Sequence, residues 1–204
     1  MNKTDIRRLV VILSGFFLFS GCFRESAPQQ FYTLNSILHG TVAEKRPVRI
    51  VVALGPVLIP DIVDKPQILV RTGENQIQLS ERNRWAGSLK EDITRVLTEN
   101  LNLLLENEGV RAMTDEIAIN PSFRISVVVN RFDGRPGESV LLNAVWTISD
   151  QGAKNEFFVG TSIIRELTVA SDFKSLVAAH SRALATLSRD IANELKNRKF
   201  KTRE

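Results

Sequence analysis

The sequence predicts an α+β fold in which two amphipathic helices pack on one face of an antiparallel sheet, forming a two-layer sandwich. Apolar residues recur every three or four positions over 89–104 and 173–195, which is the period of a helix with one buried face. Apolar and polar residues alternate over 123–129, 140–148 and 157–167, which is the period of a strand. Because the connections between these three stretches are short, we expect them to pair as an antiparallel meander.

Both predicted helices begin at residues that are typical of helix caps. Ser88 and Glu91 make the S-x-x-E capping box of the first helix, and Gly109 suits a left-handed cap after its last turn. The second helix is predicted over about 172–198, with Ser171 as its N-cap.

Shorter strands complete the predicted sheet. Residues 48–54 are apolar on both faces, which indicates a strand that is buried on both sides, and residues 68–79 predict a hairpin. The stretch 110–114 is a further candidate strand, and "FYTL" at 31–34 is a candidate edge strand. Asp133-Gly134 and Pro136-Gly137 predict the first turn of the meander.

The N-terminus has the parts of a secretory signal peptide. A basic head precedes the uncharged run from Leu9 to Phe19, which is shorter than the ~20 residues that a spanning helix requires. The run leads to Gly21 and Cys22, and Cys22 is the only cysteine, so it cannot form an internal disulfide. Its position resembles a bacterial lipobox, in which the cysteine is acylated and becomes residue one. We therefore predict a signal peptide at 1–21, cleavage between Gly21 and Cys22, and lipidation of Cys22.

Cleavage leaves 183 residues, a length that fits one domain with a tether. We predict a lipidated tether at 22–46, a single α+β periplasmic domain at 47–198 and a basic tail at 199–204. The mature chain holds 24 Lys and Arg against 22 Asp and Glu, and it lacks the clustered basic face of a nucleic-acid binder. No Asp follows Cys22 directly, which favours sorting to the outer membrane.

No catalytic or metal-ligating set stands out in the sequence. HExxH, CxxC, GxSxG and Walker patterns are missing, so zinc, triad and phosphate-loop chemistry lack their residues. His39 falls in the tether, and His180 falls on the apolar stripe of the second helix, where we expect a packed side chain. Asp61 and Asp64 are expected to be solvated. The sequence therefore predicts a protein that is not an enzyme and that holds no metal or cofactor.

The segment 54–66 is the part of the chain that this fold explains least. Its three prolines, Pro56, Pro60 and Pro66, lack the N–H that a central strand must donate, so we do not expect such a strand here. Its apolar residues are Val57, Leu58, Ile59, Ile62 and Val63. They either fold back to cap the sandwich, or form an exposed rim that contacts a neighbouring subunit, a partner protein or a lipid.

Five stretches, in order along nearly the whole mature chain, resemble one known family. They are "FYTL" (31–34), "GPVLIPDIVDKPQILVR" (55–71), "RWAGSLKEDITRVLTENL" (84–101), "RFDGRPGESVLLNAVWTISD" (131–150) and "LVAAHSRALATLSRDIANEL" (176–195). Together with the lipobox, they resemble the PqiC/YmbA group of ABC-type transport auxiliary lipoproteins, the paraquat-inducible intermembrane-transport lipoproteins of Gram-negative bacteria.

The resemblance implies a role in lipid transport across the envelope. Such lipoproteins lie on the periplasmic face of the outer membrane and partner a tunnel protein with mammalian-cell-entry (MCE) domains, which is anchored in the inner membrane. This chain is then expected to dock that tunnel, as a homo-oligomeric ring and with phospholipid as a candidate ligand. The residues themselves leave two other classes open. One is a regulator of a peptidoglycan synthase or secretion pore, and the other is a small-ligand binder or hydrolase with a polar pocket.

Overall fold

The computed structural model describes residues 27–38, 47–151 and 157–201. Gly21, Cys22 and His39 lie outside these residues. Eight strands and two helices are present within them, and a 3₁₀ turn, Glu106–Glu108, follows the first helix. The strands are β1 Gln30–Tyr32, β2 Ile50–Leu58, β3 Gln67–Arg71, β4 Ile77–Trp85, β5 Val110–Thr114, β6 Phe123–Arg135, β7 Ser139–Asp150 and β8 Phe157–Leu167. The helices are α1 Leu89–Leu105 and α2 Phe173–Lys201.

The sheet is built around β6. β7 pairs antiparallel along the whole of β6, and β8 pairs antiparallel with β7, so the predicted meander is confirmed. On the other side of β6, β2 pairs parallel with its first half and β3 meets it at Gly134. β5 extends the sheet from β2, while β4 and β1 extend it from β3.

The α+β class is confirmed, but the sheet is mixed and not wholly antiparallel. Within the described ranges, β1–β4, β2–β5, β2–β6 and β3–β6 are parallel pairs. The β3–β4 hairpin and α1 lie between β2 and β5 in the chain. A connection of that length can return a strand in parallel, whereas a two-residue hairpin cannot.

β2 continues through Pro56, so the expectation that the prolines exclude a central strand is wrong for this one. The register with β6 shifts between Leu54 and Val57, which places Pro56 at a bulge. The pairing with β5 ends at Leu54 on the other side. Proline is tolerated at a bulge because its missing N–H interrupts no ladder bond.

Both helices pack on the same side of the sheet, as predicted, and they also contact each other. α1 contacts β2 and β5, and α2 contacts β7 and β8. The predicted apolar stripes are confirmed, since Leu97 of α1 and Leu187 of α2 are completely buried. Neither of these helices has the length and apolar character needed to cross a membrane.

The helix caps agree with the prediction for α1 and differ for α2. Ser88 Oγ accepts a hydrogen bond from the Glu91 N–H at 3.3 Å, so the predicted N-cap is confirmed. At α2, the Asp172 carboxylate accepts from the Ser175 N–H at 2.6 Å. Because this is the bond that satisfies a free donor of the first turn, Asp172 is the N-cap and the assignment to Ser171 is wrong.

The chain around β1 is held to the folded body. β1 pairs parallel with β4, so the predicted edge strand is confirmed. The Leu34 N–H donates to Asp92 Oδ2 at 2.6 Å, and the Leu34 carbonyl accepts from Arg95 Nη2 at 2.6 Å. Ser36 Oγ donates to Asn100 Oδ1 at 2.7 Å. Since Leu34 is also completely buried, residues 30–36 are fixed against β4 and the first helix.

Candidate functional site

The sheet face opposite the helices, which we call the open face, carries the candidate site. Side chains alternate along β7 and β8 between the two faces. Leu142 and Ile164 are buried on the helix side, whereas Val145 is half-buried and Ile163 is 69% exposed on the other side. The open face therefore keeps apolar side chains in contact with solvent.

Five of these side chains form a contiguous patch, the open-face strip. They are Leu58, Val128, Val145, Val159 and Ile163. The strand register places Leu58 beside Val128, and Val128 beside Val145. Val145 lies opposite Thr161, so Val159 and Ile163 are its diagonal neighbours on β8. Since diagonal neighbours lie about 7–8 Å apart, the strip is continuous from β2 to β8.

The structure divides the predicted contact residues of the 54–66 segment. Val57 and Val63 are buried in the core, and Ile59 packs against it partly buried. Leu58 is 48% exposed and Ile62 is 52% exposed. Val57 and Val63 therefore fold back onto the core, whereas Leu58 and Ile62 present apolar surface to solvent.

A buried carboxylate with two arginines lies on the open face near the end of β6. Asp133 is 5% exposed. It accepts from Arg71 Nε at 3.2 Å and Arg71 Nη2 at 3.0 Å, and from Arg131 Nε at 3.0 Å. Burial raises the pKa of Asp133, but the hydrogen bonds and the positive charges of Arg71 and Arg131 together outweigh this effect, so the pKa lies below its ordinary value. The carboxylate therefore stays charged and orients both guanidinium groups.

Four arginines line a cleft of about 340 Å³ beside this cluster, which we call the arginine cleft. They are Arg71, Arg131, Arg135 and Arg165, and three acids, Glu74, Asp133 and Glu138, also line it. Arg135 pairs with Glu138 at 3.1 Å. Arg165 Nη1 donates to Ser139 Oγ at 3.4 Å, and no carboxylate of the described residues forms an ion pair with it. One positive charge in the lining is therefore left unbalanced.

The sequence prediction missed this cleft because it assigned Asp133-Gly134 to a turn. β6 continues to Arg135, and the turn lies at Pro136–Glu138. Gly134 instead lets a helix approach, since a Cβ there would lie 2.8 Å from Leu176 Cδ1. Arg131, Asp133 and Arg135 alternate along β6, so the missed signal was the period-two pattern R-x-D-x-R.

The described residues do not bring together a metal-binding cluster. They contain no group of three or more His, Cys, Asp or Glu side chains that could hold a metal ion. His180 is buried, with ring centroids 5.9 Å from Trp85 and 4.5 Å from Phe132. Burial lowers its pKa to about 4, so the ring is neutral and Nδ1 donates to the Leu176 carbonyl at 2.9 Å. It is the packed histidine that the sequence predicts.

Comparison with known proteins identifies the family. The family model of the ABC-type transport auxiliary lipoprotein component matches residues 32–192, which include both helices up to the last turns of α2. The chain belongs to this family. The match confirms the resemblance found in the sequence. The family consists of transport auxiliary lipoproteins and is not a known enzyme family. No match is found among curated proteins.

Two crystal structures have a similar fold. One, of an uncharacterised protein, gives a TM-score of 0.69 at 18% identity and covers 82% of this chain and 99% of its own. The other, of a protein from Xanthomonas campestris, gives a TM-score of 0.65 at 13% identity and covers 86% of this chain and 99% of its own. At these identities, the similarity concerns the fold alone.

Proposed function

We propose that this chain is an outer-membrane lipoprotein of an MCE-type intermembrane lipid transport system. It docks the periplasm-spanning tunnel protein, anchored in the inner membrane, at the outer membrane, and so helps to maintain the envelope. Lipidation of Cys22 attaches it to the periplasmic face of that membrane, where it works as a homo-oligomeric ring. Membership of the transport auxiliary lipoprotein family over 32–192 is the observation that carries the proposal.

The position of β1 supports docking close to a membrane. Eight residue steps separate Cys22 from Gln30, and a fully extended chain of that length spans at most ~29 Å. The acyl chains of a lipidated Cys22 would give the two or more membrane signals that stable anchoring requires. Because β1 pairs with β4 and Leu34 is bonded to α1, such an anchor would hold the folded body beside the membrane.

The β2 end of the open-face strip supports a contact with the tunnel protein. Leu58 is the strip residue at this end, and Ile62 follows it in the next turn of the chain, with both side chains about half exposed. Exposed apolar patches on folded proteins commonly mark sites of association. We assign Leu58 and Ile62 to this contact.

Capture of the partner from crosslinked membranes tests the docking role. The mature lipoprotein, carrying a C-terminal affinity tag in its Gram-negative host, should capture an MCE-domain protein, identified by mass spectrometry. Leu58→Asp with Ile62→Asp should abolish this capture while the melting temperature stays nearly unchanged. Val169→Asp is the matched control, because Val169 is the most exposed large apolar residue described and lies outside the strip. Capture of a peptidoglycan synthase or secretion pore in place of the MCE protein would contradict the docking role and favour the regulator.

Fractionation tests the membrane assignment separately. Cys22→Ala should stop processing and leave the precursor in the inner-membrane fraction, whereas the wild-type protein should fractionate with the outer membrane. Normal-sized mature protein from the Cys22→Ala variant would show that Cys22 is not the processing site. Wild-type protein in the inner-membrane fraction would contradict the outer-membrane assignment alone.

A further inference from the structure

We propose that the arginine cleft binds the phosphate group of an anionic phospholipid, and that the acyl chains of this lipid lie along the β8 end of the open-face strip. The inference rests on the proposed lipid-transport function and gives the transported lipid a binding site on this chain.

The cleft supplies the donors that a phosphate needs. A guanidinium group has five N–H donors in a planar fork, which matches phosphate oxygens bidentately. Asp133 accepts a hydrogen bond from Arg131 Nε and forms an ion pair with Arg131 Nη2. The Nη1 donors of Arg131 therefore remain available. Arg165 spends one bond on the hydroxyl of Ser139. Among the residues that the structure describes, Arg131 and Arg165 therefore retain unused donors on the same cleft.

The charge of the cleft fits a phosphodiester. Its lining holds four arginines and three acids, and a phosphodiester carries one negative charge, which the unbalanced arginine matches. Asp133 does not oppose this binding directly, because it is buried beneath Arg71 and Arg131 and both of its oxygens are already bonded. It acts as a positioning residue that fixes the two guanidinium planes.

The size and floor of the cleft suit part of a lipid headgroup. A volume of about 340 Å³ lies at the lower end of the range for small-molecule sites, about 300–1,000 Å³. Leu141 lines the cleft, and the strand register places it directly opposite Arg165. Ile163 is the diagonal neighbour of Leu141 on the same face. The charged cleft therefore passes without a break into the open-face strip.

The strip beyond the cleft is long enough for an acyl chain. Arg165, Ile163 and Val159 lie on one face of β8. Arg165 and Val159 are six residue steps apart, which at ~3.4 Å per residue is a distance of about 20 Å. One leaflet of a hydrocarbon core is about 15 Å thick, half of the ~30 Å of the bilayer core. Thr161 lies between Ile163 and Val159 on this face, and Val145 beside it keeps the strip apolar. A phosphate held at Arg165 would thus leave the strip for an acyl chain, which a free anion would not use.

Native mass spectrometry of the mature lipoprotein in detergent tests the proposal. The probes are dihexanoyl phosphatidylglycerol, inorganic phosphate and uncharged dihexanoylglycerol. Arg135→Gln with Arg165→Gln removes two of the cleft's positive charges, and neither arginine touches Asp133. Arg82→Gln with Arg189→Gln is the matched control, because it removes the same charge from exposed sites outside the cleft.

The phospholipid should bind the wild-type protein and the control variant equally. The cleft variant should bind it roughly tenfold or more weakly, because charge-assisted hydrogen bonds are lost. Ile163→Ser should also weaken phospholipid binding, without changing the weaker binding of inorganic phosphate. Equal phospholipid binding by the cleft and control variants would overturn the site. The lipid assignment would be overturned if either inorganic phosphate or dihexanoylglycerol bound as tightly as the phospholipid.

The same variants separate this inference from the proposed function. The cleft variant should still capture the MCE-domain protein from membranes, because Leu58 and Ile62 are unchanged. A wild-type protein that binds phosphatidylglycerol in the cleft but captures no MCE-domain protein would refute the docking role and leave the lipid site in place.

Discussion

Acidification should destabilise the folded protein through His180. Its ring is buried against Trp85 and Phe132, and its Nδ1 donates to the Leu176 carbonyl. Burial lowers the pKa from 6.5 to about 4, although this hydrogen bond and the Asp133 charge oppose the shift in part. Between these two values, the unfolded chain binds a proton that the folded chain does not. The free energy of unfolding therefore falls as the pH decreases from above 6.5 towards 4.

The size of this effect follows from the two pKa values of His180. Each pKa unit corresponds to about 1.4 kcal/mol, so the full loss is about 3 kcal/mol below pH 4, of which about 2 kcal/mol is lost between pH 7 and pH 5. The pKa values of Asp133 and Asp172 are lowered by their hydrogen bonds, so these carboxylates lose their stabilising contribution only at more acidic pH. The pKa of Glu116 is also lowered, by hydrogen bonds, so a variant without the histidine must be measured over the same pH range to isolate the contribution of His180.

Urea unfolding at pH 7 and pH 5 measures the effect in the wild-type protein and in His180→Leu. Leucine fills the apolar site and has no proton to gain, and the Leu176 carbonyl keeps its place in the backbone ladder of α2. The wild-type protein should lose about 2 kcal/mol more than the variant between the two pH values. Equal losses in both proteins would show that His180 is protonated in the folded state, and the reasoning from its burial would fail.

Two further predictions concern packing. Leu97→Ala should lower the free energy of unfolding by about 2–5 kcal/mol, because its side chain is completely buried, whereas Leu167→Ala, at a residue that is 71% exposed, should change it by less than about 1 kcal/mol. Similar small changes in both would place Leu97 outside the core. Gly160→Ala should cost about 1–3 kcal/mol and alter the near-ultraviolet circular dichroism of tryptophan, because its Cβ would lie 2.3 Å from Trp146 Cζ2. Gly87→Ala, whose Cβ meets nothing within 4 Å, should leave both unchanged, and a Gly160→Ala variant with unaltered stability and spectrum would contradict the close approach of the Trp146 ring to the β8 backbone.

The fold could be predicted where the information is local. The helical period that buries Leu97 and the cap at Ser88 depend on neighbours a few residues away, and both are confirmed. The parallel pairing of β2 with β6 depends on strands that are far apart in the chain, and no local pattern encodes it. The prediction that Pro56 excludes a central strand was wrong for the same reason. A proline destabilises a strand only where a neighbouring strand needs a hydrogen bond from the missing N–H.

The candidate site could be predicted only in part. The apolar residues of segment 54–66 were predicted as a possible contact surface. Leu58 and Ile62 are indeed exposed, but Val57 and Val63, which have the same apolar character, are buried. The R-x-D-x-R pattern of β6 could have shown that Arg131, Asp133 and Arg135 share one face. The complete arginine cleft could not be predicted, because Arg71 and Asp133 are 62 residues apart and meet only through the contact between β3 and β6. The period of two residues shows which side chains of a strand share a face, but it does not show which other strands pair with that strand.

The short link between anchor and domain limits what this chain can do alone in the proposed system. A compact domain of about 180 residues has a radius of gyration of about 16 Å, and therefore a breadth of roughly 40 Å. The span from Cys22 to Gln30, at most ~29 Å, is shorter than that breadth. If Cys22 is lipidated, the domain can turn over the membrane surface but cannot cross the periplasm to another membrane. Any transfer over a longer distance then requires a partner that reaches it, and the two ends of the open-face strip divide the tasks accordingly. The β2 end, with Leu58, would meet the partner, and the β8 end, with Arg165, would receive the lipid.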